Sequence, residues 1–154
     1  MKKYDKAEPL LAKLATNTAT PQRVHVHLFL GQSRLQLKKF PQAENAFSNG
    51  LKLSKPGDVQ TSMQQGLLDV QFEQKKWKEV VATSALLAKN KGDVGLLGRL
   101  RGAQAMYNLR QFKEAETALA ALKPMTAKKP YEQEVAFLLA EARRTQGDLK
   151  GCLL

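Results

Sequence analysis

Cysteine is almost missing from this chain. Cys152 stands alone near the C-terminus, so no internal disulfide and no cysteine metal cluster can form. It reads as a small core residue. Histidine is as scarce, with His25 and His27 the only two. Two residues apart on a helix they point about 200° apart and cannot share a metal. They read as structural or surface residues. No serine–aspartate arrangement beside them suggests a triad. No P-loop, dinucleotide fingerprint or zinc spacing is present. Gly95, Gly98 and Gly102 recur, but Leu96, Leu97, Leu100 and Arg101 between them read as helix, so close helix packing is the better account. The chain is therefore read as no enzyme, and nothing in it calls for a cofactor or a metal.

Long apolar runs are missing too. Val135 to Ala140 is broken by charge within two turns, far from the roughly 20 residues of a membrane span. Met1-Lys2-Lys3-Tyr4-Asp5-Lys6 has no apolar segment behind it and is not a signal peptide. The compartment stays open, with the cytoplasm slightly favoured. Acidic residues are few, 14 against 25 lysines and arginines, for a net charge of +11. That invites nucleic acid, acidic protein or anionic membrane as a partner.

What the chain does have is a period. Phe112, Ala115, Leu119 and Leu122 mark one face of a short helix. The same line recurs as Phe40, Ala43, Phe47, Gly50, as Trp77, Val80, Ser84, Leu87, and as Tyr4, Ala7, Leu11, Leu14. It begins again at Leu149 and Cys152. A step in the thirties between such openers is the mark of a helical repeat array. Before each opener lies a second helical pattern: Leu30-Gly31 and Leu35, Leu67-Leu68 and Phe72, Gly102-Ala103 and Tyr107, Leu139-Ala140.

The punctuation agrees. Thr20-Pro21 reads as an N-cap and a first-turn proline. Pro56-Gly57-Asp58, Lys91-Gly92-Asp93 and Lys129-Pro130 separate repeats. Links of two or three residues within a repeat force antiparallel pairs. The spacing predicts helices at 4–15, 21–37, 40–53, 58–74, 77–90, 93–109, 112–123, 130–146 and a stub from 149. The chain is one domain, with repeats at 21–53, 58–90 and 93–123 and partial repeats at 1–15 and 130–154. Pro9 implies a first helix that either starts late, near Lys6, or is kinked, and the late start is favoured. The openers Phe40, Trp77 and Phe112 should be buried. Terminal Leu153 and Leu154 are apolar where a polar cap is usual, so the chain reads as a segment of a longer array.

The pattern resembles the tetratricopeptide repeat family. Leu30-Gly31, Phe40, Ala43, Phe47 and Pro56 carry the resemblance in one repeat, and Ala103, Tyr107, Phe112, Ala115 and Leu119 in another. The middle repeat departs from it at Val80 and Ser84. The turn glycine survives only as Gly147, with Lys38, Lys75 and Arg110 at the other turns. The resemblance implies an all-α fold, a right-handed superhelix of antiparallel helix pairs whose first helices line a concave groove. The stripe on those helices is Leu28, Gln32 and Leu35, then Gln65, Asp69 and Phe72. It continues with Leu100, Gln104 and Tyr107, then Phe137, Glu141 and Arg144. The lysine–asparagine clamp by which the family holds chaperone C-termini is absent there.

The expected function is a non-catalytic scaffold that binds a peptide or helix of a protein partner in that groove. One alternative is an electrostatic adaptor. Lys38, Lys39, Lys75, Lys76 and Arg110 would form a basic edge that docks on RNA or an acidic complex. Nucleic acid is its weaker version, because the aromatics near that edge are the repeat's own core residues. Another alternative is self-assembly through exposed end helices.

Overall fold

The structure, a computed structural model, describes residues 2–20 and 22–147. Leu149, Lys150, Cys152, Leu153, Leu154 and the stub from 149 lie outside the described residues, as does Pro21. Among the described residues there are eight α-helices: α1 (Lys2–Thr16), α2 (Arg23–Gln36), α3 (Phe40–Leu53), α4 (Asp58–Glu73), α5 (Trp77–Leu87), α6 (Gly92–Asn108), α7 (Phe112–Leu122) and α8 (Glu132–Thr145). A 3-10 turn, Lys123–Met125, follows α7. No strand occurs among the described residues. Phe40, Trp77 and Phe112 each open a helix, as the spacing predicts.

The helices gather into two compact units, Met1–Lys76 and Trp77–Leu154. The division falls between α4 and α5, inside the repeat expected at 58–90. In unit 1, α2 packs on α1, α3 and α4. Its core is Leu28, Ala43, Phe47, Met63 and Val70, with a second cluster of Ala15, Leu30 and Ala46. Phe47 is fully buried because two helices make room for its ring. A Cβ added at Gly31 would stand 2.5 Å from that ring, and one at Gly66 would also strike it. In unit 2, α6 packs on α5 and α7, and α7 on α8. Its core is Leu96, Leu100, Ala103, Leu119, Leu122, Val135 and Leu139. A Cβ at Gly98 would come 2.8 Å from Leu87 Cβ, and one at Gly102 2.6 Å from Ser84 Oγ, so these glycines serve helix packing.

Two expectations need correction. Pro9 lies inside α1, which begins at Lys2 and not near Lys6. The proline is exposed, so the Asp5 carbonyl that loses its donor faces a surface where water can replace it. Phe40, Trp77 and Phe112 are half-buried and not fully buried. Helix spacing fixes which side a residue faces, and depth depends on the neighbouring helices. The deepest side chains lie further along, at Phe47, Leu87 and Leu119.

The turns repeat in detail. Lys38, Lys75 and Arg110 have φ of 56°, 56° and 63°, and Gly147 has 82°. Each is the left-handed residue that ends a helix, at the place where the family carries glycine. Beyond them, Lys39 N–H donates to Arg34 O at 2.8 Å, Lys76 N–H to Gln71 O and Gln111 N–H to Met106 O, both at 2.9 Å. These are Schellman closures, which satisfy helix-end carbonyls.

Candidate functional site

The predicted stripe divides between the two units. In unit 1, Gln32 and Asp69 are exposed, and Leu35, Gln65 and Phe72 are half-buried. Leu28 belongs to the core. In unit 2, Leu100 is 1% exposed and also belongs to the core. Gln104 is buried as well: it donates to Glu134 Oε1 at 2.5 Å and accepts from Arg101 Nη1 at 2.9 Å. Tyr107 is half-buried, edge-on to Phe112 with ring centroids 5.2 Å apart. Phe137 is 65% exposed. Glu141 and Arg144 pair on α8 at 2.8 Å, and the guanidinium beside the Glu141 carboxyl holds its pKa below the usual range. The large apolar side chains of the stripe that keep some exposure are thus Leu35 and Phe72 in unit 1, both half-buried, and Tyr107, half-buried, and Phe137, exposed, in unit 2.

The basic edge splits in two. Lys38, Lys75 and Arg110 are exposed. Lys39 and Lys76 are committed to carboxylates, at 3.2 Å to Glu8 and 2.6 Å to Glu44. These pairs belong to a device that simple charge counting misses. Glu8, Glu44 and Glu116 each stand four residues after an opener. Glu8 also takes Arg34 Nε at 2.9 Å. Glu44 also takes Gln74 Nε2 at 2.8 Å. Glu116 takes Arg143 Nε at 3.0 Å and Gln146 Nε2 at 2.9 Å. The Arg34 hydrogen bond does most to lower the Glu8 pKa; for Glu44, burial opposes, and bonds from Lys76 and Gln74 prevail. After the third opener, Trp77, the glutamate is replaced by Val81, and the place equivalent to Arg34 holds Met106.

That replacement changes the chemistry of a groove that occurs once in each unit. In unit 1 a cavity of about 390 Å³ lies between α1 and α3 over α2, and Arg23, His27, Arg34, Asn45, Asn49 and Lys52 face it. In unit 2 a cavity of about 300 Å³ lies between α5 and α7 over α6, and Val81, Ala85, Met106, Ala118, Ala121 and Met125 face it. Arg99 closes its end, bonded to Ala88 O at 3.0 Å and Met125 Sδ at 3.2 Å. The first groove is cationic and amide-lined; the second is apolar. The register of Glu8, Glu44, Val81 and Glu116 was the sequence signal that could have pointed to both. No group of metal-binding side chains is found among the described residues, and none of their helices is long and apolar enough to cross a membrane.

The eight helices among the described residues, recurring at a constant period and joined by short left-handed turns, have a tetratricopeptide-like repeat fold. Solved structures of MamA, a tetratricopeptide-repeat protein, share it. MamA AMB-1 superposes with a TM-score of 0.80 at 19% identity, over 99% of this chain and 78% of that one. MamA MSR-1 gives 0.77 at 18% identity, over 99% of this chain and 82% of that one. No family model and no curated protein matches the sequence.

Proposed function

We propose that this chain is a non-catalytic scaffold that holds a peptide or helical segment of a protein partner. The likeness in fold supports the class, and the exposed Phe137 supports the seat, with the half-buried Leu35, Phe72 and Tyr107 on the other first helices. The observation that carries the reading is Phe137, a phenyl ring left 65% exposed on α8 and flanked one turn on by the Glu141–Arg144 pair. A ring so placed has a free face for a partner's apolar anchor, with a charged rim beside it.

A second seat is favoured by the apolar groove of unit 2, where alanine and methionine side chains leave room for a row of apolar groups. The basic-edge adaptor has less support, because Lys39 and Lys76 already face carboxylates.

The test begins with capture of a ligand from lysate and continues with titration of four proteins. Phe137→Ala and Phe72→Ala should each weaken binding by about 1–3 kcal/mol, the range of a well-placed interface anchor. Ala121→Glu blocks the apolar groove instead. The triple change of Lys38, Lys75 and Arg110 to Gln should only slow association at low salt. Normal binding by both phenylalanine variants with loss in Ala121→Glu would move the seat to the groove. Loss only in the triple variant would replace the scaffold reading by the adaptor.

A further inference from the structure

The cationic groove of unit 1 contains two loose ends. Among the described residues, the buried side-chain polar atoms without a partner are Arg23 Nε and His27 Nδ1. His27 is only 6% exposed. Arg23 and His27 are four apart on α2 and so share a face, and both line the cavity. A buried N–H left unpaired costs free energy that a ligand can return. Across the cavity, Asn49 Nδ2 donates to Asn45 Oδ1 at 2.8 Å, which leaves Asn45 Nδ2 free to donate. Lys52 adds a charge at the edge, and Arg34 adds another, partly offset by Glu8 behind it. No carboxylate is among the groove's lining residues. The floor is apolar, formed by Ala15, Leu30 and Ala46.

We propose that this groove binds the carboxylates of an acidic peptide segment, with Arg23 Nε and an N–H of His27 donating to one of them. Asn45 and Lys52 serve a second carboxylate, and the apolar floor takes the methylenes of the bound side chains. The donors are single side-chain N–H groups spread over two helices. A phosphate site would gather backbone N–H groups at one point. The size agrees, since about 390 Å³ exceeds what one bare ion fills and suits a pair of acidic side chains. The site is independent of the apolar stripe, so either can fail without the other.

The experiment uses the whole chain and three probes: a short peptide of alternating Glu and Ala, its Gln counterpart, and inorganic phosphate. Binding is followed by fluorescence anisotropy for the peptides, and by the NMR signals of the His27 ring and the Asn45 and Asn49 side chains for all three. The acidic peptide should bind and shift these signals, and the Gln peptide should bind at least tenfold more weakly. Arg23→Gln and, separately, Asn49→Leu should each reduce affinity for the acidic peptide about tenfold. Circular dichroism checks that each is folded, and either folded variant suffices. Lys38→Gln with Lys75→Gln removes two charges elsewhere and should change affinity less than twofold. Equal loss in that control would mean diffuse charge attraction and overturn the proposal. So would phosphate competing at the same concentration as the peptide, or no shift of the groove signals, which would leave water as the only occupant.

Discussion

Unit 1 and unit 2 build the same groove from equivalent positions and give it opposite chemistry. His27, Arg34, Asn49 and Leu53 of unit 1 correspond in register to Arg99, Met106, Ala121 and Met125 of unit 2. The alanines Ala12 and Ala15 correspond to Ala85 and Ala88. The walls are therefore alike, and a few side chains decide whether the cavity is cationic or apolar. Helix pairing is set by small and large residues on the inner faces, such as Ala43 and Ala115, both fully buried. Groove residues touch that packing at one edge only. A repeat fold can thus vary its surface chemistry without altering its geometry.

The largest expected difference between the units concerns their cores. Unit 1 centres on the Phe47 ring, set against Gly31 and Gly66. In unit 2 the equivalent place on its first helix is Ser84, set against Gly102. Phe47→Ala leaves a ring-sized void that two glycines cannot fill, and should cost about 3–5 kcal/mol. Ser84→Ala loses only a hydroxyl bonded to Val81 O at 2.8 Å and should cost under about 1 kcal/mol. Urea denaturation gives the cost, and hydrogen exchange places it. A loss below about 1 kcal/mol for Phe47→Ala would mean that unit 1 does not depend on this ring.

A smaller effect is expected from exchanging the pair that distinguishes the grooves. Arg34→Met leaves the part-buried Glu8 carboxylate with Lys39 alone and should cost about 1–3 kcal/mol. Adding Glu8→Val reproduces the Val81–Met106 arrangement and should recover most of that loss, since an apolar pair replaces an ion pair at little net cost. The double-mutant cycle in unit 1 should show coupling of about 0.5–3 kcal/mol. Met106→Arg in unit 2 should be rescued by Val81→Glu in the same way. Purely additive effects in both units would show that the register pairs are incidental.

The period carried much of this into the sequence. Openers and turn positions were legible because hydrophobic spacing and short links constrain helices strongly. The proline rule misjudged α1, because it weighs a lost interior bond and Pro9 is exposed to water. Leu28 and Leu100 sit on the right helices but face the core, because spacing gives an angle and burial needs a neighbour. The lysines were weighed by location and not by partner. Glu8, Glu44 and Glu116 show their meaning only when numbered from the openers. The cationic groove was the least legible part: it takes residues from three helices, and His27 means little until Arg23 and Asn49 stand beside it.

The smallest expected effect is one of pH. Both histidines lie in unit 1, and unit 2 has none. Burial first, then the charges of Arg23 and Arg34, hold the His27 pKa below its ordinary value. The unfolded chain therefore binds a proton at this site in a range where the folded unit does not. The stability this contributes is complete above the ordinary histidine pKa of about 6.5, and it is lost as pH falls toward the folded value. Glu8 and Glu44 act in a lower window: their depressed pKa values contribute stability above the ordinary glutamate value of 4.5 that fades below it. Unit 2 shares that acid window through Glu141 but not the histidine one. Hydrogen exchange of α2 and α3 amides, corrected for intrinsic rates, should show weaker protection at pH 5.5 than at pH 7.5, while α6 and α7 amides hold steady. His27→Gln should remove the difference. An acidic peptide in the groove should oppose it as well, because an anion beside His27 favours the imidazolium. Equal loss in both units, or a His27→Gln protein with the same pH profile, would place the sensitivity elsewhere than in this ring.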